Sequence, residues 1–78
     1  MKIRNYYIEH TIKDGYIRFT SLKKAVEYGI QHKDDEVFSD MLLITIGGYN
    51  LTKIHKSDTF ESLYNRCKEV INTIKQEF

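Results

Sequence analysis

The residues that most often carry chemistry are few in this 78-residue chain, and they lie far apart. Its histidines, His10, His32 and His55, are each separated by more than twenty residues. Zinc sites that can be recognised locally place their ligands a few residues apart on one helix or turn. The single cysteine, Cys67, falls in an apolar helical stripe, where a thiol commonly packs as a small hydrophobic group. We therefore predict no metal site and no cofactor.

Acidic residues and glycines form two further local patterns. The carboxylates of Asp34, Asp35, Glu36 and Asp40 lack the glycine and the final glutamate of a calcium loop, and they are typical of a solvated connection. Residues 47–48 are both glycine, but the lysine and hydroxyl residue that end a phosphate-binding loop do not follow them. We interpret this pair as a turn between two strands.

The hydroxyl residues Thr20 and Ser21 directly precede a helical pattern, a position where such side chains cap the helix. Covalent catalysis also needs an orienting base and a concave pocket. A domain of this size seldom encloses a pocket. The chain is therefore predicted not to be an enzyme.

Composition narrows the class of protein further. Twelve Lys and Arg residues against eleven Asp and Glu residues leave a net charge of +1, far from the basic balance of many nucleic-acid-binding domains. The length predicts a single domain over residues 1–78. No apolar run is long enough to span a membrane and no signal-peptide pattern is present, so we expect a cytoplasmic protein. An excess of residues with AT-rich codons, such as Ile and Lys, favours a low-GC bacterium, or a phage or plasmid living in one.

The first half of the chain predicts a hairpin followed by a helix. Residues 6–12 and 16–20 alternate in polarity, and the Asp-Gly pair at positions 14–15 is a strong signal for a two-residue hairpin loop. That loop would place Ile12 opposite Ile17 and His10 opposite Phe19. The helix should run over residues 22–32. Within its apolar stripe, Gly29 indicates either a close approach of the helix to the sheet or an early end of the helix.

The second half repeats this order. Residues 37–46 and 49–55 read as strands, and residues 59–77 as a long amphipathic helix. Ser57 or Asp58 should cap that helix, with Glu61 in the first turn. The fold predicted from both halves is a two-layer α+β domain: a four-stranded antiparallel sheet with two helices on one face, in the order ββαββα. The sequence leaves the order of strands within the sheet open.

One strand is apolar on both faces. Residues 41–46 read Met-Leu-Leu-Ile-Thr-Ile. Alternation places Leu42, Ile44 and Ile46 with Leu51 on the core side, so the other side remains for a partner. On that second side we predict a contiguous protein-binding surface, since such patches are uncommon on a free monomer. Its predicted residues are Tyr7, Tyr16, Met41, Leu43 and Ile54.

This surface predicts a non-catalytic protein-binding module, and self-association into a homodimer is its simplest use. Tiny proteins of this composition are often phage or mobile-element accessory factors that bind and inhibit a larger host or defence protein, and we expect such a role by that analogy. Against it, Glu9, Lys13, Arg18 and Thr52 would interrupt the apolar patch.

Nucleic-acid binding through the same face is the alternative. Aromatic side chains among basic ones on a sheet can stack on single-stranded bases while the cations contact phosphates. The near-neutral charge argues against this alternative. Its predicted contact residues are Tyr7, Lys13, Tyr16, Arg18 and Lys53, with Lys23, Lys24 and Lys56 as further phosphate contacts.

Overall fold

The computed structural model of the chain describes residues 5–9, 16–34, 43–46 and 49–77. These residues form an α+β fold of two helices and a small antiparallel sheet, which confirms the α+β part of the predicted fold. The first helix has the predicted bounds, and the second begins one residue later than predicted. In chain order the elements are β1 (Tyr6–Glu9), β2 (Tyr16–Phe19), α1 (Leu22–His32), β3 (Leu43–Ile46), β4 (Tyr49–Lys53) and α2 (Phe60–Glu77).

The strands lie in the order β2-β1-β3-β4, and all neighbours pair antiparallel. β1 and β3 are therefore central, which answers the question that the sequence left open. Ile8 of β1 pairs with Ile17 of β2 on one side and with Ile44 of β3 on the other. Because cross-strand partners share a face, these isoleucines form one row, and Ile8 and Ile44 are fully buried.

The register of the first hairpin differs by four residues from the prediction. Ile17 pairs with Ile8 and Phe19 pairs with Tyr6, whereas Ile12 and His10 were the expected partners. The last pair among the described residues is Glu9 with Tyr16, and His10 and Ile12 lie outside the described residues. Tertiary packing outweighs the local Asp-Gly signal here, because this register packs Tyr6 and Phe19 against the core. An even shift leaves the face of every side chain unchanged.

A β-bulge in β4 changes which of its residues reach the core. Thr45 pairs with Asn50 but Ile44 pairs with Thr52, so Leu51 is an extra residue without a partner. Beyond a bulge the alternation of side chains switches phase. Ile54 is consequently only 3% exposed and belongs to the core. The predicted placement of Ile54 and Thr52 on the outer face is therefore wrong.

Both helices and three strands contribute to a single core. α1 packs on β1 and β2, while α2 packs on β4 and on α1. Burial of this apolar surface supplies most of the stabilisation of such a small fold. The buried hydrophobic residues are Ile8, Leu22, Ala25, Val26, Ile44, Leu51, Ile54, Leu63, Cys67, Ile71 and Ile74.

Gly29 lies where α1 approaches the segment after β4. A Cβ atom at this position would lie 2.5 Å from Cδ1 of Ile54 and 3.7 Å from Cδ2 of Leu63. α1 continues past Gly29 to His32, so this glycine does not end the helix. The close approach is present, but its partners are Ile54, just after β4, and Leu63 of α2, and not a strand of the sheet. Contacts of 2.5 Å between carbon atoms are far inside van der Waals separation.

The two helices begin differently. Ser21 has the extended backbone of an N-cap residue, but its side chain makes no capping hydrogen bond within the described residues. At α2, the Thr59 amide donates to Ser62 Oγ at 2.9 Å and the Ser62 amide donates to Thr59 Oγ1 at 3.2 Å. This reciprocal pair is a capping box with serine in place of the usual glutamate. The predicted cap by Ser57 or Asp58 is therefore wrong.

Neither α1 nor α2, within the part of the chain that is described, is long and apolar enough to cross a membrane.

Candidate interaction face

The strand register defines two rows of residues on the face opposite the buried isoleucines. On β1, β2 and β3 these residues flank Ile8, Ile17 and Ile44 in sequence, and successive residues of a strand alternate between faces. On β4 they are the cross-strand partners of the β3 residues. We call this surface the outer face of the sheet. The first row, from β2 to β4, is Arg18, Tyr7, Thr45 and Asn50, and the second is Tyr16, Glu9, Leu43 and Lys53.

The outer face is polar at its edges and carries charges of both signs. Arg18, Asn50 and Lys53 are exposed, whereas Tyr7 and Glu9 on the central strand β1 are half-buried. Tyr7 is paired directly with Arg18. Tyrosine and arginine are the residue types, with tryptophan, that most often dominate the binding energy of protein interfaces.

The residues predicted to bind a protein do not all lie on the outer face of the sheet. Tyr7 lies on the outer face, and Tyr16 and Leu43 hold register positions in its second row. Met41 lies outside the described residues. Ile54 is in the core, because the bulge reverses the phase of β4. The outer face is therefore less apolar than the sequence indicated.

The basic residues of the nucleic-acid alternative are spread out. Arg18 and Lys53 lie on opposite edge strands, three strand spacings apart, which is about 14 Å. Glu9 stands in the same row as Lys53 and places a negative charge between the two edges. Lys13 lies outside the described residues. These positions do not form a continuous basic stripe.

A second polar site, which the sequence did not disclose, is the buried carboxylate of Asp58. This side chain is 5% exposed, and Arg66 of α2 binds it with two parallel hydrogen bonds. Arg66 Nη1 donates to Oδ1 at 2.9 Å and Nη2 donates to Oδ2 at 2.8 Å. The His55 amide and the Ser62 hydroxyl donate to the same carboxylate at 2.8 and 2.9 Å. Bidentate guanidinium–carboxylate pairs of this kind are among the stronger polar contacts in proteins.

The same network connects α2, β4 and the end of α1. Arg66 also donates from Nε to Thr52 Oγ1 at 2.7 Å and from Nη2 to the Lys53 carbonyl at 2.8 Å, which anchors α2 to β4. The Lys33 ammonium, just after α1, donates to the Asp58 carbonyl. The only sequence signal was an acidic residue ahead of a helix, which is ordinarily interpreted as a cap.

This network is built for structure and not for proton transfer. Hydrogen bonding to Arg66 holds the pKa of the Asp58 carboxyl well below its usual range, despite the opposing effect of burial. Hydrogen bonding to Asp58 in turn raises the pKa of the Arg66 guanidinium. Both groups therefore stay charged throughout the physiological range, whereas a general acid or base must exchange its proton near working pH.

The remaining candidates for chemistry are dispersed. Burial raises the pKa of the Cys67 thiol to about 11, so the sulfur stays protonated and packs in the core. The His32 and Tyr28 rings are tilted by 40° to each other, with centroids 4.3 Å apart, while the His55 side chain is exposed. In the described ranges, no three His, Cys, Asp or Glu side chains are grouped closely enough to hold a metal ion.

Comparison with protein-family models, curated proteins and solved structures finds no match to this chain.

Proposed function

We propose that this chain is a non-catalytic protein-binding module that contacts its partner through the outer face of the sheet. The proposal takes the fold to be a four-stranded sheet in ββαββα order with both helices on the opposite face. The observation that carries it is the direct pairing of Tyr7 with Arg18, with Tyr7 on a central strand. Residues of these two types near the centre of a surface are favoured anchors for a protein partner.

The states of the ionisable groups support a binding role over an enzymatic one. Asp58 and Arg66 neutralise each other in the structural network, and Cys67 is a buried, protonated thiol. A nucleophile needs a neighbouring base and access to substrate. Cys67, at 0% exposure, has no such access.

The partner that we propose is a larger host or defence protein in the cytoplasm, inhibited by stoichiometric binding. The AT-biased composition and small size of the chain support a phage or mobile-element origin. Homodimerisation is the other use of a protein-binding face, and light scattering during size exclusion separates it from binding to a foreign protein.

The test compares capture of a partner by the native chain and by surface variants. Tyr7→Thr removes the ring and keeps a residue that favours strands. Arg18→Ala removes the paired cation, and Lys68→Ala on α2 is the matched control, because Lys68 is also exposed and basic. We expect both outer-face variants to retain a given captured protein about tenfold less well or worse, and the control to retain it normally.

Two results would contradict the proposal. Equal retention by all variants would show that the outer face is not the contact surface. If neither host lysate nor purified chain yields any complex, protein binding itself is wrong.

Nucleic-acid binding remains the second candidate because one observation favours it. The aromatic ring of Tyr7 and the cation of Arg18 are cross-strand neighbours, as stacking platforms require. The acidic Glu9 on the same face opposes it. Titration of a labelled single-stranded oligonucleotide at low salt decides between the two candidates. If the chain binds proteins, we expect no binding of the oligonucleotide. Oligonucleotide binding that weakens with added salt and in Tyr7→Thr would instead favour the nucleic-acid candidate.

A further inference from the structure

The two edge strands of the sheet differ in how well they are protected against pairing with a further strand. β4 contains the bulge at Leu51, and the carbonyl of its last residue, Lys53, already accepts a hydrogen bond from Arg66 at 2.8 Å. Bulges and charged groups on an edge are devices that prevent another strand from pairing there. The β4 edge is thus closed to strand addition at its end.

β2, the opposite edge, has no bulge, and its one charged residue, Arg18, lies on the outer face of the sheet. Its four residues, Tyr-Ile-Arg-Phe, pair with β1 in an unbroken register. Aromatic and β-branched residues of this kind favour extended backbone. No strand among the described residues pairs with the outer side of β2. The backbone groups on that side are a template for an additional strand.

The surroundings of β2 differ between its two faces. On the helix side, the rings of Phe19 and Tyr28 lie 5.4 Å apart and are both half-buried. Lys24 is exposed one helical turn before Tyr28, on the same side of α1. On the outer face, Arg18 is exposed. The edge therefore offers aromatic surface on one side of the sheet and a cation on the other.

We propose that β2 binds an extended segment of the protein partner by strand addition, and that this segment alternates apolar residues with Asp or Glu. Successive side chains of an added strand point to opposite faces, so its apolar residues would meet Phe19 and Tyr28 while its carboxylates meet Arg18. Main-chain hydrogen bonds give affinity in this mode, and the alternate side chains give specificity. The inference rests on the proposed function and names the chemistry of the partner.

A second copy of the chain fits this edge less well. Pairing β2 with its own copy would bring a second Arg18 to the same seam. Like charges close together across paired strands are destabilising. An acidic segment removes this conflict.

The probe is a fluorescein-labelled synthetic peptide, Gly-Ser-Val-Glu-Val-Glu-Val-Ser-Gly, whose binding is followed by fluorescence anisotropy. Arg18→Glu reverses the charge beside β2, and Lys53→Glu makes the same change on the closed edge as a matched control, because both residues are exposed. We expect the native chain to bind, Arg18→Glu to weaken binding about fivefold to tenfold, and Lys53→Glu to change it less than about twofold. A peptide with lysine in place of glutamate should bind much more weakly.

The site is located by amide chemical shifts of isotopically labelled protein during the titration. Shifts concentrated in Tyr16–Phe19 support strand addition at β2, and shifts concentrated in Tyr49–Lys53 overturn it. Equal weakening by both charge reversals, equal binding of the lysine peptide, or no binding of either peptide also overturns it. If the peptide fails while capture of a protein still depends on Tyr7, the edge proposal is wrong and the proposed function stands. If that capture fails as well, both are wrong.

Discussion

At the scale of single residues, Asp58 shows how one polar side chain can organise a small fold. Its carboxylate is removed from water, which costs several kcal/mol for an unpaired charge. Arg66, His55 and Ser62 offset that cost with four hydrogen bonds. Removing the charge of Asp58 leaves Arg66 without its carboxylate partner.

Asp58→Asn tests this role. We expect it to lower the free energy of unfolding by about 2 kcal/mol, below the range for fully buried pairs because the Arg66 side chain is 34% exposed. Urea titration followed by circular dichroism measures the change. Glu61→Gln, at an exposed carboxylate in the first turn of α2, is the control and should cost less than about 1 kcal/mol. Equal losses in the two variants would assign the effect to general charge and not to the network.

Asp58 also predicts the pH dependence of stability on the acid side. Hydrogen bonding to Arg66 holds its folded-state pKa well below the unfolded value of about 3.9. The unfolded chain therefore takes up this proton at higher pH than the folded chain does. The stability that Asp58 contributes is complete above about pH 5, and it is lost as the pH falls through the unfolded and then the folded pKa. Urea titrations from about pH 7 to about pH 3 should show a steeper loss in the native chain than in Asp58→Asn, and parallel curves would disprove the assignment.

At the scale of secondary-structure elements, the bulge in β4 decides how the sheet meets the helices. It turns Ile54 inward, where its Cδ1 atom occupies the space that a side chain at Gly29 would need. A Cβ atom at residue 29 would therefore require Cδ1 of the buried Ile54 side chain to move. This explains a glycine in a helix interior, where it costs about 1 kcal/mol relative to alanine.

The Gly29–Ile54 contact predicts that two substitutions are coupled. Gly29→Ala alone should destabilise the native chain by about 1 kcal/mol, because the clash exceeds the gain in helix propensity. Ile54→Val removes Cδ1, so in that background the same alanine should stabilise by about 0.5–1 kcal/mol. Free energies of unfolding for all four chains complete a double-mutant cycle. Identical effects of alanine in the two backgrounds would show that the contact has no energetic consequence.

The periodicity of apolar residues in the sequence predicted the helices but not the details of strand pairing. The apolar stripes of α1 and α2 determine their bounds, because a packed helix must repeat every 3.6 residues. Pairing of β1 with β2 follows burial of Ile8 between its neighbours, a tertiary condition that the local Asp-Gly signal cannot report. Nothing in the sequence of β4 marks Leu51 as an extra residue, so the inward position of Ile54 was not predictable. Asp58 was misread because an acid before a helix normally caps it.

At the scale of the whole molecule, the fold has one covered and one outer sheet face, and two unequal edges. Antiparallel sheets commonly leave one face to solvent, so an outer face alone indicates no function. What distinguishes this one is the pairing of Tyr7, on the central strand β1, with Arg18, on the edge strand β2. These features favour recognition of a protein over chemistry on a small molecule.

Hydroxyl-radical footprinting of the chain, free and in complex with a captured partner, tests the binding surface most directly, because it reports the solvent accessibility of individual side chains. Tyr7 on the outer face and Tyr64 on α2 are both half-buried tyrosines and provide a matched pair within one molecule. We expect oxidation of Tyr7 to fall several-fold in the complex while oxidation of Tyr64 stays unchanged. Protection of Tyr64 with Tyr7 unchanged would place the partner on the helices and contradict the account.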